Sequence, residues 1–295
     1  MAIIISAILP IALVAIAGIL LGRFFALDVR SLARVNIYAM LPALVLTSLT
    51  EMTLDVGSTV RMMAAFYLHT ALLYGLALTL GRSLKLSRDG QKGLLATTLF
   101  ANVGNMGLPF ILFTLGDAGL ERAVVYLVAS SLMVASIFPV ILTGDGFKAG
   151  LIYTVKLPVF WVALLAIALR SLEFELPEAI ARSSSLLGAG VIPLALLTLG
   201  IQLSQSTFRL GRYEFFGAFL RLVVSPIMAY GIGKLINLSG LDLQVLVLQA
   251  AMPVAVSSLI WVAELGGNAE RVSRTIVLST LLSCVSLPLI VLLII

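Results

Sequence analysis

Apolar residues run along this chain in blocks of about twenty, each closed by a short polar or basic stretch. Ten such blocks fit: 3–22, 33–50, 60–81, 93–115, 121–142, 151–170, 184–203, 213–236, 243–265 and 272–294. A block of that length is what a helix needs to cross a hydrocarbon layer roughly 30 Å thick. The pattern predicts an all-α polytopic membrane protein of ten transmembrane helices, with no stretch between them long enough for a separate soluble domain. One block departs from its own pattern. Span 4 contains ANVGNMGLPF (101–110), which puts two asparagines, two glycines and a proline where an unbroken membrane helix would carry apolar residues.

Composition points the same way: 61% of residues are hydrophobic, 11% are charged, and the mean hydropathy is +1.15. A soluble domain carries roughly a quarter charged residues, so too little polar material is present to cover a water-facing surface. The first block is too long for a signal-peptide core and lacks a basic leader, so it reads as a retained helix.

Charge decides orientation rather than partner. Lys and Arg outnumber Asp and Glu by 19 to 14, but the basic residues sit in short loops, which argues against a nucleic-acid partner. Thirteen of them, among them Arg23, Arg34, Lys85, Arg88, Lys148, Arg209 and Arg271, follow spans 1, 3, 5, 7 and 9, and five lie on the other side. The positive-inside bias then places both termini outside the cytoplasm of the cell (inner) membrane. The single cysteine, Cys284, excludes an internal disulfide and a cysteine-rich metal site.

A repeat lies in the two halves. Glu121-Arg122 before span 5 and Glu270-Arg271 before span 10 are 149 residues apart, as are Pro139 and Pro288. Pro10 pairs with Pro158, Pro42 with Pro193 and Pro109 with Pro253, at offsets of 148, 151 and 144. Residues 1–142 form a first five-helix repeat, 143–150 a cytoplasmic linker and 151–295 a second repeat. Five is odd, so the second repeat is inverted, an arrangement typical of secondary transporters.

Broken helices mark the binding site expected in such a protein. Proline removes its own N–H and clashes with the carbonyl four residues back, which for Pro109 belongs to Asn105 and for Pro253 to Gln249. Gly104 and Gly107 relax the backbone further. Unpaired backbone groups are tolerated at membrane depth only where protein or a water-filled cavity covers them. The half-helices beyond each break offer N-terminal N–H groups to an anion. Asn102, Gly104, Asn105, Gly107, Pro109, Gln249, Pro253, Ser257 and Ser258 are therefore the candidate substrate-binding residues.

Three ionisable groups are candidates for coupling, since charge inside a span is costly and often functional. His69, the sole histidine, suits a proton relay or a neutral imidazole bonded to a neighbouring helix. Arg221 can attract an anion, pair with an acid or snorkel to the surface. Glu264 ends span 9 at the wet edge of the membrane. No cofactor is expected, with H+ or Na+ as the coupling ion. Sodium would use the oxygens of Asn102, Asn105, Gln249, Ser257 and Ser258; uniport is the third possibility.

The elements GNMGLP in span 4, LPAL in span 2, IPLALLTLG in span 7, RLVVSP in span 8 and AAMP in span 9 resemble the auxin efflux carrier family, within the wider bile/arsenite/auxin transporter-like group. The resemblance covers essentially the whole chain. It implies two inverted five-helix repeats with spans 4 and 9 crossing at their prolines. A scaffold of spans 1, 2, 6 and 7, often dimeric, would carry a moving transport domain of spans 3–5 and 8–10. It also implies a small organic anion, malonate-like or auxin-like, as substrate. The eight-residue linker, where plant members have a long cytoplasmic loop, points to a compact prokaryotic type and removes the warrant for auxin itself.

Other functions compete. A sodium-coupled symporter of bulky bile-acid-like anions shares the crossed-helix plan. An intramembrane enzyme would need paired carboxylates, a histidine cluster or a Ser–His pair, for which only Ser130 or Ser131 with His69 is available. No phosphate-binding loop is present to support ATP-driven pumping, and a ligand sensor would lack a signalling domain.

Overall fold

The computed structural model describes residues 2–143, 147–205 and 211–295. Among these residues the structure is helical, with a single isolated β-bridge between Ala101 and Val254. The polar stretches between the apolar blocks supply the caps. Helix α1 is Ala2–Phe24 and α2 is Val29–Thr50, the latter opened by Asp28, whose carboxylate accepts the Arg30 N–H. Helix α3, Val56–Ser83, is opened by Asp55 accepting from the Ser58 N–H, and α4, Arg88–Leu99, by Ser87 accepting from the Gly90 N–H. Each cap satisfies a donor that the first helical turn leaves without an internal partner.

The longer helices that follow are α5 (Leu108–Ser136), α6 (Phe147–Lys156), α7 (Pro158–Ser171), α8 (Glu178–Ser204), α9 (Arg212–Leu235), α10 (Gly240–Ala250), α11 (Ser257–Leu265) and α12 (Ala269–Ile294), with a short helical turn at Phe138–Thr143 after α5. Among the described residues, six stretches are helical, long and apolar enough to cross a membrane: Val29–Thr50, Val56–Ser83, Val103–Ile141, Glu178–Ser204, Arg212–Leu235 and Ala269–Ile294. Val103–Ile141 has 39 residues, about 58 Å if straight and so about twice the hydrocarbon thickness. It does not run straight: Gly116 takes φ 69°, ψ −166°, a left-handed conformation that glycine adopts without a Cβ penalty. The outer surface keeps large apolar side chains exposed, among them Leu20, Leu164, Ile227, Leu289 and Leu293, as contact with lipid requires.

Three prolines are absorbed in the same manner. Asn36–Met40, Val103–Gly107 and Leu220–Val224 are π-helical turns, each placed just before Pro42, Pro109 or Pro226. At their ends the N–H groups of Leu41, Leu108 and Ser225 reach the carbonyls five residues back, on Asn36, Val103 and Leu220. A ring that clashes with the carbonyl four residues back is accommodated by widening the preceding turn. Proline here bulges the helix instead of ending it.

Helices α1 and α8 pack backbone to backbone. A Cβ on Gly18 would lie 2.3 Å from the Leu197 carbonyl oxygen, and one on Gly200 would lie 2.0 Å from that of Ala15. Gly18 and Gly22 form the small-xxx-small spacing that permits this approach in membranes. Helix α2 packs against α7 and against the start of α8.

The expected boundaries shift in two places. Span 4 is two helices, α4 and the first part of α5, and the second part of α5 belongs to span 5. Of the expected linker, residues 144–146 lie outside the described residues, as does Arg209, and Phe147 already opens α6.

Candidate functional site

Helix α4 stops at Leu99 and α10 stops at Ala250, and the chain restarts as helix at Val103 and at Ser257. The two gaps lie against each other. The Asn102 N–H donates to the Pro253 carbonyl at 2.8 Å, and the Ala255 N–H donates to the Phe100 carbonyl at 2.9 Å. The Val254 N–H finds its acceptor on a third element, Ser279 Oγ of α12, at 3.1 Å. Each interruption thus supplies hydrogen bonds that the other has lost, which is how non-helical backbone can lie inside protein at membrane depth.

The proline chemistry at the second gap differs from the sequence expectation. The Gln249 carbonyl is not left free, because the Met252 N–H turns back to it at 3.3 Å. Helix α10 has already ended when Pro253 is reached, so the proline sits in non-helical backbone and contributes its carbonyl. The helix-terminal carbonyl that gathers donors is that of Ala250 instead. At the first gap Pro109 lies buried in the first turn of α5, after the π-helical turn.

The amide side chains are the unusual feature. Gln249 is 0% exposed and neither its Oε1 nor its Nε2 has a hydrogen-bond partner; Asn102 is 4% exposed and its Nδ2 has none. Because both amide atoms of Gln249 are unpartnered, exchanging its O and N assignments changes nothing. A buried polar group without a partner costs about 1–3 kcal/mol, so this concentration in one place needs a reason. Gly107 brings the two breaks together: a Cβ there would lie 2.2 Å from Gln249 Oε1. Any side chain at 107 would push the glutamine amide off the π-helical turn.

The other candidate residues separate into near and far. Gly104 and Asn105 lie half-buried in the same π-helical turn. Ser258 is fully buried and its hydroxyl donates to the Ala255 carbonyl at 2.6 Å. Ser257 is exposed at the start of α11. Glu264 is exposed one residue before that helix ends, about 10 Å along the axis from Ser257. The structure does not bring Glu264 to the interruptions.

Beside the gaps lies a buried polar network. Arg221, in the π-helical turn of α9, is 1% exposed. Its Nη1 donates to the Thr98 carbonyl at 2.8 Å, and its Nη2 donates to Ser225 Oγ at 2.7 Å and to the Ala250 carbonyl. Ser225 Oγ donates to the same Ala250 carbonyl at 2.8 Å. With the hydroxyl proton used there, His69 Nε2, which lies 3.1 Å from both Ser225 O and Ser225 Oγ, is the donor of that contact. His69 Nδ1 is buried with no partner. His69 therefore joins α3 to α9 through Ser225, and not to Ser130 or Ser131.

Thr98, Ser225 and Ser279 are members of this centre that the sequence did not single out. One signal was available for Ser225, which directly precedes a membrane proline in a turn that carries an arginine. Thr98 and Ser279 take part through a backbone carbonyl and a single hydroxyl, and no local pattern marks such roles.

A multi-pass helical membrane protein with two interrupted helices hydrogen-bonded to each other around buried, unsatisfied amides has the form of a membrane transporter. The family model for "Membrane transport protein" matches residues 3–149 and 147–291. The chain belongs to that family, the auxin efflux carrier family. It is 32% identical over 270 residues to an uncharacterized transporter of Methanothermobacter thermautotrophicus, covering 89% of this chain and 88% of the relative. It is 29% identical over 193 residues to the uncharacterized transporter MJ1031 of Methanocaldococcus jannaschii, 63% of each chain. To the uncharacterized transporter YfdV of Escherichia coli K12 it is 26% identical over 149 residues, 49% of this chain and 48% of that one.

Proposed function

We propose that this protein is a secondary transporter of a small organic anion, a carboxylate of the malonate-like or auxin-like kind, which it moves by alternating access. The observation that carries the reading is the set of unpartnered amide atoms on Gln249 and Asn102, buried between the two interruptions. Amide N–H donors, together with the free N–H groups that begin the restarted helix at Val103, suit a carboxylate. Gly104, Asn105, Gly107, Pro109, Pro253, Ser257 and Ser258 shape the same region.

The arrangement proposed has ten passes in two inverted repeats, 1–142 and 151–295, joined on the cytoplasmic side at 143–150, with spans 4 and 9 crossing at their interruptions. Both termini lie outside the cytoplasm of the inner membrane. Two internally tied groups of helices support an elevator-type motion. Helices α1 and α8 interlock through Gly18 and Gly200, with α2 against α8 and α7 against α2; these are the scaffold and the homodimer surface. Helices α3, α4, α9, α10 and α12 are linked through His69, Arg221, Ser225 and Ser279; these belong to the moving body. Glu264, exposed and distant from the gaps, is not given a coupling role.

The test is exchange in proteoliposomes with a panel of mono- and dicarboxylates and indole acids, under separate pH and sodium gradients. Asn102→Ala and Gln249→Ala are expected to slow exchange of the accepted anion by about tenfold or more, the scale of losing a hydrogen bond to a charged group. If both folded variants moved every accepted anion at the wild-type rate, the paired interruptions would not be the binding site. Uptake of bulky steroid-like anions that requires sodium would favour the bile-acid-like alternative.

A further inference from the structure

Arg221 is a buried cation whose surroundings contain backbone oxygen where a carboxylate would be expected. Its guanidinium takes the carbonyls of Thr98 and Ala250 and the hydroxyl of Ser225. The ion pairs of the described residues join Arg122 to Asp242, Arg182 to Glu178 and Arg274 to Glu270, and none includes Arg221. Thr98 lies in the last turn of α4, and Ala250 is the last residue of α10. The C-terminal end of a helix carries roughly half a negative charge, and two such ends converge on one guanidinium. Two half-charges of this kind balance about one unit of positive charge, which accounts for an arginine buried without an acid.

Carbonyl oxygens at helix ends together with a serine hydroxyl are also the ligand chemistry that a hard monovalent cation takes. We propose that Arg221 is a resident cation: its guanidinium permanently fills a carbonyl cage, formed by Thr98, Ser225 and Ala250, that would otherwise hold a cation from solution. The tethered charge holds the two interrupted helices together in every state of the protein, and no dissolved cation is needed to do so. Arg221 is a positioning residue for Asn102 and Gln249, which lie four residues beyond Thr98 and one before Ala250. Its link to transport rests on the carrier reading above, but the occupancy of the cage does not.

The cage is tested by thermal melting of the full-length protein in detergent, which needs no knowledge of the substrate. Wild type, Arg221→Ala and Arg221→Lys are each melted in choline chloride, alone and with millimolar guanidinium or sodium. The wild-type midpoint is expected to be indifferent to both ions. The Ala protein is expected to melt lower and to recover part of the loss when guanidinium, and more weakly sodium, enters the vacated cage, a shift set by ligand linkage. The Lys protein, with a point charge in place of the planar fork, is expected to fall between them and to respond to neither ion. Arg221→Met keeps the apolar stem and replaces the Ala protein if that one does not fold. A folded Ala or Met protein that melts identically with and without the cations would overturn the proposal, as would a wild type stabilised by sodium. In proteoliposomes, anion exchange by the Ala protein is expected to drop about tenfold or more and to be partly restored by guanidinium. Ion-dependent melting without any exchange in the wild type would leave the cage established and count against the carrier reading alone.

Discussion

The two interruptions have the same backbone task and different chemistry. The first, Phe100 to Gly107, is rich in glycine and asparagine and restarts through a π-helical turn; the second, Ala251 to Val256, contains neither residue and passes through a turn and a bend to the bridge residue Val254 before the helix restarts. Their backbones exchange one hydrogen bond in each direction, Asn102 to Pro253 and Ala255 to Phe100. Their amides are not equivalent: Asn102 stands inside its gap, whereas Gln249 stands in the last turn of the helix before its gap. Backbone pairing can therefore be nearly symmetric while the groups available to a ligand are not. In the carrier proposed above, the first property would keep both breaks rigid and the second would orient one asymmetric ligand.

The strongest way to break the comparison is to give Gly107 a side chain. A methyl group there would lie 2.2 Å from Gln249 Oε1, so Gly107→Ala is expected to destabilise the protein by about 1–3 kcal/mol, as overpacking does. Its neighbour is a side chain, so truncating that neighbour should relieve the strain. Thermal melting of Gly107→Ala, Gln249→Ala and the double variant forms the cycle. The double variant is expected to melt above Gly107→Ala alone. Strictly additive losses would mean that the two residues do not meet.

Ser279 tests the second gap in the same way. Its hydroxyl is the acceptor for the Val254 N–H, and both groups are fully buried. Ser279→Ala leaves a buried N–H unmatched and is expected to cost about 1–3 kcal/mol, seen as a lower melting temperature with no change in helix content. Ser279→Thr keeps the hydroxyl and should recover most of that loss. If the Ala variant melted like wild type, the second gap would draw its order from the first alone.

Much of this was legible in the chain. Block length, Pro109, Pro253 and the amides beside them locate both gaps, because a polar or imino residue inside an apolar block has no other inexpensive explanation. What Pro253 does was not legible. Sequence geometry assigns it a freed Gln249 carbonyl, but the helix ends three residues earlier and the Met252 N–H occupies that oxygen. Nor was the destination of Arg221, which snorkelling, substrate attraction and ion pairing explained equally well. Its true partners are Thr98 and Ala250, 123 and 29 residues away, and they offer main-chain oxygen, which every residue carries and no residue type announces. Glu264 and Ser257 show the opposite limit: their types suit the chemistry, but residue type does not tell that both lie exposed on α11.

The smallest expected effect separates ligand-binding from structural polarity. Val254 and Ser279 satisfy each other, so cutting that bond costs stability. Asn102 Nδ2 and both amide atoms of Gln249 satisfy nothing in the protein, so removing them deletes a desolvation cost along with some packing. Asn102→Ala is therefore expected to change the melting temperature by little, within about 0.5 kcal/mol of wild type or slightly above it, even while exchange falls. Residues kept for function are commonly retained at some expense to stability. A marked loss of stability in Asn102→Ala would place its amide among the groups that hold the gap together, and would leave the unpartnered amide of Gln249 to meet a ligand.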